Sequence, residues 1–485
     1  MYFRTSFLST IFMKIEKRWI VSFVITALVS ILALFWSNIS DTYFANGASS
    51  LADNFLTKDS YDAADTGWVL TSACLVLLMT PGLSFFYGGM VGKKNIISTM
   101  LQSFICMGII SLVWVVVGFG LAFGDPILSF ESLSDSGDVI KHSILGNPFS
   151  YTFFEFIEEF GSAPHKQMAS TIPFVLFAIF QMKFAIITPA IITGSFAERV
   201  RFISYLIFIS LFVIIVYCPL AHWVWHPDGM LNTYFGVKDF AGGTVVHMSA
   251  GFAALAGAII LGKRKKKQST PTNIPFVILG TGMLWFGWFG FNAGSAFGVN
   301  GDAVLAFITT NSSSATAMLT WIFFDRINGR KVSALGACIG AVVGLVAITP
   351  AAGYVSVSEA IFFGFITSIV SNSIVNWSKM QKLDDTLDVF ACHGVGGIMG
   401  MILTAIFAHG DGSSLLHGVN GSLGWGIFGH HMIALLTVSI FTFGGSLLLY
   451  KLTDKIIPLR VSEESEHIGL DISQHDERMD PYSQK

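Results

Sequence analysis

Two histidines are the residues best placed to do chemistry. His247 lies in DFAGGTVVHMSAGFAALAGAIILG and His393 in DVFACHGVGGIMGMILTAIFA, each an apolar stretch long enough to cross a bilayer. Each stretch opens on an aspartate and carries small residues after the histidine. An ionisable ring at membrane depth is costly unless it has a partner or lines a pathway. Imidazole titrates near about pH 6.5 and is the usual proton-handling side chain. The pair therefore points to transport of something that exchanges protons. A metal site is the weaker reading. Cys392 and His393 are adjacent, so on a helix they point about 100° apart, and no HExxH or paired-cysteine motif supplies further ligands. An enzyme is weaker still, because no nucleophile–base constellation is present; no cofactor is implied.

The elements that position these rings belong to a membrane protein. Of 485 residues, 53% are hydrophobic and only 12% charged, with a mean hydropathy of +0.66. A soluble domain carries roughly 25% charged residues. A net charge of −3 without a basic excess argues against nucleic acid as a partner. Length alone would suggest about three soluble domains, but apolar runs fill nearly the whole chain, so one polytopic domain is expected. Cys74, Cys106, Cys218, Cys338 and Cys392 all fall in predicted spans without metal or disulfide spacing, and read as small packing residues.

Lys14, Lys17 and Arg18 precede an apolar stretch from Ile20 to Trp36, followed by small residues near 45–48. This is the order of a signal peptide over 1–48, with an uncleaved anchor as the alternative. Residues 49–66 then form a short extracellular N-terminus, 67–451 the membrane domain and 452–485 a cytosolic tail. Eleven spans are predicted, near 67–90, 97–123, 171–196, 203–225, 240–262, 273–297, 303–324, 333–352, 358–377, 388–408 and 424–451. Alternate loops carry Lys93 and Lys94, Arg199 and Arg201, Lys263 to Lys267, Arg326, Arg330 and Lys331, and Lys379 and Lys382; the opposite loops hold only Lys141, Lys166 and Lys238. Basic loops stay inside. The mature N-terminus is thus expected outside and the C-terminus in the cytosol.

The expected fold is all-α: spans one to five and six to ten as a 5+5 inverted repeat, plus a final helix. Such repeats place the substrate path at their interface. The two histidine helices would be the fifth of each half, Asp239…His247 against Asp388…His393. The 48 glycines suit close helix packing in lipid. The 125–170 loop, with SLSDSGD and FFEFIEEF, is predicted to be an extracellular excursion with one short amphipathic helix.

The strings FFYGGMVGKKN (85–95), FAERVRF (196–202), HWVW (222–225), DFAGGTVVHMSAG (239–251), GWFGFNAGSA (287–296), TPAAGY (349–354), DVFACHGVGGIMG (388–400) and GLD (469–471) resemble the ammonium transporter family, the Amt/MEP/Rh group. The resemblance covers nearly all the chain after about residue 60. It implies that Trp225 and Ser295 recruit ammonium at an outer vestibule with Phe180 as a further vestibule aromatic. Phe184 and Phe291, two of 45 phenylalanines, would be stacked rings closing the pore below. His247 and His393 would be twin histidines lining that pore, and Asp239 would organise the site without being the main ligand. It further implies a multi-pass protein of the cell inner (plasma) membrane, a homotrimer, and a PII-type protein docking on the cytosolic face. An ammonium sensor that signals through the tail is the alternative; no effector domain follows the membrane domain.

These residue types suit ammonium. A tryptophan face attracts a cation by roughly 0.5–2 kcal/mol, and a serine oxygen accepts one N–H bond. Neither separates ammonium strongly from potassium. Moving a small ion into an apolar medium costs on the order of 20 kcal/mol in the ideal limit. Ammonium can leave its proton behind and cross as ammonia; potassium has no such option. A neutral imidazole accepts at one nitrogen and donates at the other, so paired rings can relay the proton. Electrogenic uptake is the expected result. Two points resist this reading. Helical rise from Asp239 and Asp388 leaves the rings about 10 Å apart in depth if both aspartates sit at opposite membrane faces, whereas the resemblance implies contact. Lys183 puts a charge inside the third span beside Phe184; a structural role is favoured, since a fixed cation by the pore would repel substrate.

Overall fold

A computed structural model describes residues 17–44, 53–134, 137–265, 270–380, 383–410 and 412–479. The expected cleavage region at 45–48, Lys14, Lys267, Lys382 and the tail end at 480–485 lie outside the described residues. All eleven apolar runs after residue 60 form helices. Following α1 (Lys17–Phe44), they are α2 (Ala63–Met90), α3 (Lys93–Phe123), α5 (Phe174–Phe196), α6 (Phe202–Trp225), α7 (Gly243–Leu261), α8 (Ile274–Ala296), α9 (Gly301–Ile327), α10 (Ala334–Ile348), α11 (Val357–Met380), α12 (Phe390–Phe407) and α13 (Trp425–Ile456). Among the described residues ten segments are long and apolar enough to cross a bilayer, counting Trp19–Trp36 of α1. Of the others, α9 is long but rich in Ser, Thr and Asn, and α10 is only 15 residues.

Helix starts follow local chemistry. Asp62, Asn273, Asn300 and Ser333 each accept a backbone N–H from the first turn of α2, α8, α9 and α10, at 2.9, 3.1, 2.9 and 3.0 Å. The α1 stretch Trp19–Trp36 packs nothing into the interior, and its Trp36 ring meets Phe153 edge-on at 5.8 Å.

The outer excursion departs from the all-α expectation. Strands β1 (Pro126–Leu133) and β2 (Val139–Gly146) pair antiparallel, and α4 (Phe156–Phe160) follows within FFEFIEEF. The β2 side is anchored: Ser143 N–H donates to Asp228 O at 2.6 Å, and the His142 ring lies between the Ser132 and Thr233 hydroxyls at 2.7 and 2.8 Å.

The rings of His247 and His393 are in contact, so the separation expected from helical rise out of their aspartates is absent. Neither Asp239 nor Asp388 is helical. The α7 helix starts at Gly243 and α12 at Phe390, each through a wide π-type first turn, Gly243–Met248 and Phe390–Gly394. Asp388 sits in the left-handed region at φ 57° and turns the chain into α12. Both rings therefore lie within the opening turns of their helices. These helices cross where Gly251 meets Gly394, since only glycines permit so close an approach.

The end of the bundle that bears the basic loops is tied by charge. Arg264 bonds Glu198 at 2.7 Å and Asp384 at 2.9 Å. Arg199, fully buried, donates to Thr386 Oγ1 and Asp384 O, both at 2.6 Å. The tail helices α14 (Glu463–Ile468) and α15 (Leu470–His475) dock there. Arg460 bonds Glu466 at 2.7 Å, and Asp471 accepts the Ser98 and Ile97 N–H groups at 2.8 and 3.2 Å, capping the start of α3. The first half of the predicted tail is thus ordered beneath the membrane domain.

Candidate functional site

A continuous ladder of rings runs from the hairpin end to the middle of the bundle. At its outer end lies a cavity of about 240 Å³ lined by Trp225, Ser295, Phe184, Phe297, Phe240 and Gln181 among others. Trp225 is held by its own N–H, which donates to Asp239 O at 3.2 Å and leaves the π face free for a cation. Its ring stands edge-on to Phe184 at 5.8 Å. Ser295 Oγ donates to Phe291 O at 2.8 Å, so its lone pairs remain available to accept an N–H.

Phe184 lines the cavity and Phe291, which lines the void beyond it, packs on Phe184 with ring centroids 4.3 Å apart, both rings no more than 1% exposed. Phe291 stacks on His247 at 5.9 Å, and Trp288 stacks on the same imidazole at 5.3 Å. His247 and His393 then meet Nδ1 to Nδ1 at 3.3 Å. One nitrogen must donate and the other accept, so the pair shares a single proton across that contact. His247 Nε2 is buried without a protein partner.

Two voids of about 10 Å³ flank this pair. One is bounded by Phe291, His247, Trp288 and His393, the other by Tyr87, Val389, Cys392 and His393. Each is about the volume one water needs, and their other walls are aliphatic and aromatic. A bare cation has no ligand shell here; a small neutral molecule with one lone pair fits.

Asp239 spends its acceptors on the chain. Oδ1 takes the Gly242 and Gly243 N–H groups at 2.9 and 2.6 Å, while Oδ2 takes the Thr244 N–H at 2.8 Å and the Thr244 hydroxyl. It caps the helix that carries His247. Burial, with His222, His165 and Lys141 adding, pushes His226 down to about 3, and burial with Lys166 pushes His165 down to about 4.

The sequence also resembles proteins whose structures are solved, and the fit is extensive. Residues 67–479 match the Ammonium Transporter Family. The chain belongs to that family. A putative ammonium transporter of Methanothermobacter thermautotrophicus is 42% identical over 421 residues, covering 86% of this chain and 98% of that one. The crystal structure of Saccharomyces cerevisiae Mep2 superposes with a TM-score of 0.72 at 31% identity, covering 84% of this chain and 89% of that one. A structure titled Sensor Amt Protein superposes with a TM-score of 0.74 at 32% identity, covering 85% and 98%.

In this member of the ammonium transporter family, six predicted residues, Trp225, Ser295, Phe184, Phe291, His247 and His393, fall along one line. Phe180 does not reach the vestibule. Its buried ring packs behind Phe184 at 5.0 Å, and Phe297 and Phe177 take the cavity wall instead. Lys183 lines neither the vestibule nor the inner voids; its Nζ rests 4.0 Å from Met182 Sδ. Among the described residues no cluster of His, Cys, Asp or Glu forms a metal site, and the five cysteines are free. Sequence reasoning missed Gln181 and Trp288. The first is a lone carboxamide in an apolar span, three residues before Phe184; the second sits three residues before Phe291, inside a string already singled out.

Proposed function

We propose that this chain transports ammonium across the cell inner membrane, recruiting NH4+ at the outer vestibule and passing ammonia and its proton separately through the histidine pair. The observation that carries the proposal is the Nδ1–Nδ1 contact of 3.3 Å between His247 and His393 directly beneath the Phe184–Phe291 pair. Trp225 and Ser295 hold the cation, with Phe180 supporting the ring of Phe184 from behind. Phe184 and Phe291 exclude water and the hydrated ion. Desolvation at that floor, on the order of 20 kcal/mol for an intact ion in the ideal limit, drives proton transfer. Ammonia crosses the apolar voids, the imidazoles relay the proton, and the two recombine inside. Transfer of both moves one positive charge per cycle, so uptake is electrogenic. Asp239 keeps the His247 helix in place.

The matched π-type starts of α7 and α12, and their crossing near the middle, support a 5+5 inverted repeat with α13 appended. On this reading residues 1–48 act as a signal peptide, the mature N-terminus lies outside and the tail lies in the cytosol. The protein assembles as a homotrimer with one pore per subunit, and a PII-type protein is its cytosolic partner. No catalytic step and no cofactor enter the cycle. A sensor role signalling through the tail is the second reading, favoured by the similarity to the structure titled Sensor Amt Protein and by the docking of α14 and α15 on the inner face.

Solid-supported-membrane electrophysiology on proteoliposomes decides between them. Ammonium pulses are expected to give a current that potassium pulses do not. The pair His247→Asp with His393→Glu is expected to lose discrimination against potassium. Persistence of a potassium-excluding current in that double variant would overturn the relay, and ammonium binding without current in the parent would favour the sensor.

A further inference from the structure

Gln181 stands outside the ladder of rings. It projects from α5 one residue after Phe180 and three before Phe184, on the face that carries the vestibule floor. The residue is 95% buried, at 5% relative exposure, yet it lines the 240 Å³ cavity. No hydrogen bond joins its carboxamide to any described residue. Its amide therefore opens onto the cavity from an otherwise buried side chain, where its hydrogen-bonding capacity is left for whatever the cavity holds. Two neighbouring polar groups are committed, Trp225 N–H to Asp239 O and the Ser295 proton to Phe291 O, and the one other carboxamide that lines the cavity, Gln167, is exposed. No carboxylate lines the cavity.

We propose that Gln181 is a specificity-determining residue of the vestibule whose side-chain oxygen accepts an N–H bond from ammonium. The inference rests on the transport reading for its substrate. Ammonium offers four N–H donors in tetrahedral directions, and the more buried part of the vestibule wall then meets it with two side-chain oxygens, Ser295 Oγ and Gln181 Oε1, and the Trp225 face, Gln167 being exposed. A spherical ion of the same charge needs a fuller cage of oxygens to replace its hydration shell. Two oxygens suit the donor-bearing ion and leave potassium under-coordinated, so discrimination begins at the vestibule, ahead of the deprotonation step.

The test compares Gln181→Leu and Gln181→Glu with the parent in proteoliposome currents. For Q181L the half-saturating ammonium concentration is expected to rise about 3- to 10-fold, the loss of one bond to a charged group, with the maximal current within twofold. For Q181E it is expected to fall. A merely structural role would lower the maximal current and leave half-saturation in place. Thermal stabilisation of the detergent-solubilised protein by NH4Cl, against KCl at equal ionic strength, gives a binding midpoint independent of transport. An unchanged NH4Cl midpoint in Q181L overturns the Gln181 assignment whether or not current flows. A Q181L-sensitive midpoint in a parent that passes no current upholds it and overturns transport.

Discussion

Gly251 and Gly394 lie back to back at the crossing of the two histidine helices. A Cβ on Gly251 would come within 2.2 Å of the Gly394 Cα and backbone nitrogen. The same crossing sets the 3.3 Å ring contact one turn away. Substituting Gly251→Ala must push α7 from α12. A loss of ammonium current of more than about tenfold is expected, together with a lower melting temperature from overpacking of about 1–3 kcal/mol. Gly67→Ala, where nothing lies within 4 Å, is the control and should leave both unchanged. Electrophysiology and thermal unfolding of the two variants check this.

At the vestibule, Trp225→Leu removes the only tryptophan face lining the cavity. The half-saturating ammonium concentration should rise about 2- to 30-fold, the range of a cation–π contact. Ser295→Ala removes one acceptor and should act in the same direction. Dose–response currents measure both.

The inner-face charges make a stability prediction. Arg264→Met removes the cation that Glu198 and Asp384 share while both carboxylates stay buried. Removing one partner of a buried pair costs on the order of 3 kcal/mol. A reduced melting temperature is expected, partly restored by the second change Asp384→Asn, which removes one of the two carboxylates that Arg264 had balanced.

Acid should loosen the outer rim. His226 and His165 are held at about 3 and about 4 in the fold, against the ordinary 6.5 of an unfolded histidine. Their neutral forms fit the fold, so their contribution is complete above about pH 6.5. Between there and their folded values the unfolded chain binds more protons, and stability falls as pH falls. The melting temperature should drop from pH 7 to pH 5, and His226→Gln should flatten the slope. A slope identical in that variant would exclude His226 as a source.

Much of this architecture is legible in the amino-acid order, for a physical reason. In lipid every backbone polar group must be satisfied within the segment, so each long apolar run had to become a helix, and all eleven did. The outer hairpin was not legible because β1 is exposed along almost its whole length and lacks the alternation that marks a half-buried strand. The histidine contact was not legible from spacing because the chain from Asp239 to Gly242 and the left-handed Asp388 lie outside the helices, which starts both helices late. Phe297 took the wall expected for Phe180 because a short turn, Gly294–Ala296, ends with Phe297 at φ 52° and swings its ring into the cavity. No periodicity announces such a turn.

With all four of its close donors supplied by residues 242–244, the carboxylate at 239 is a fixture of the frame before it is anything to a passing ion. Evolutionary or engineered tuning of affinity has little freedom at that position, because any replacement must first rebuild the start of the helix. Variation in substrate preference among relatives should instead collect at the vestibule wall, at side chains whose loss leaves the backbone where it stands.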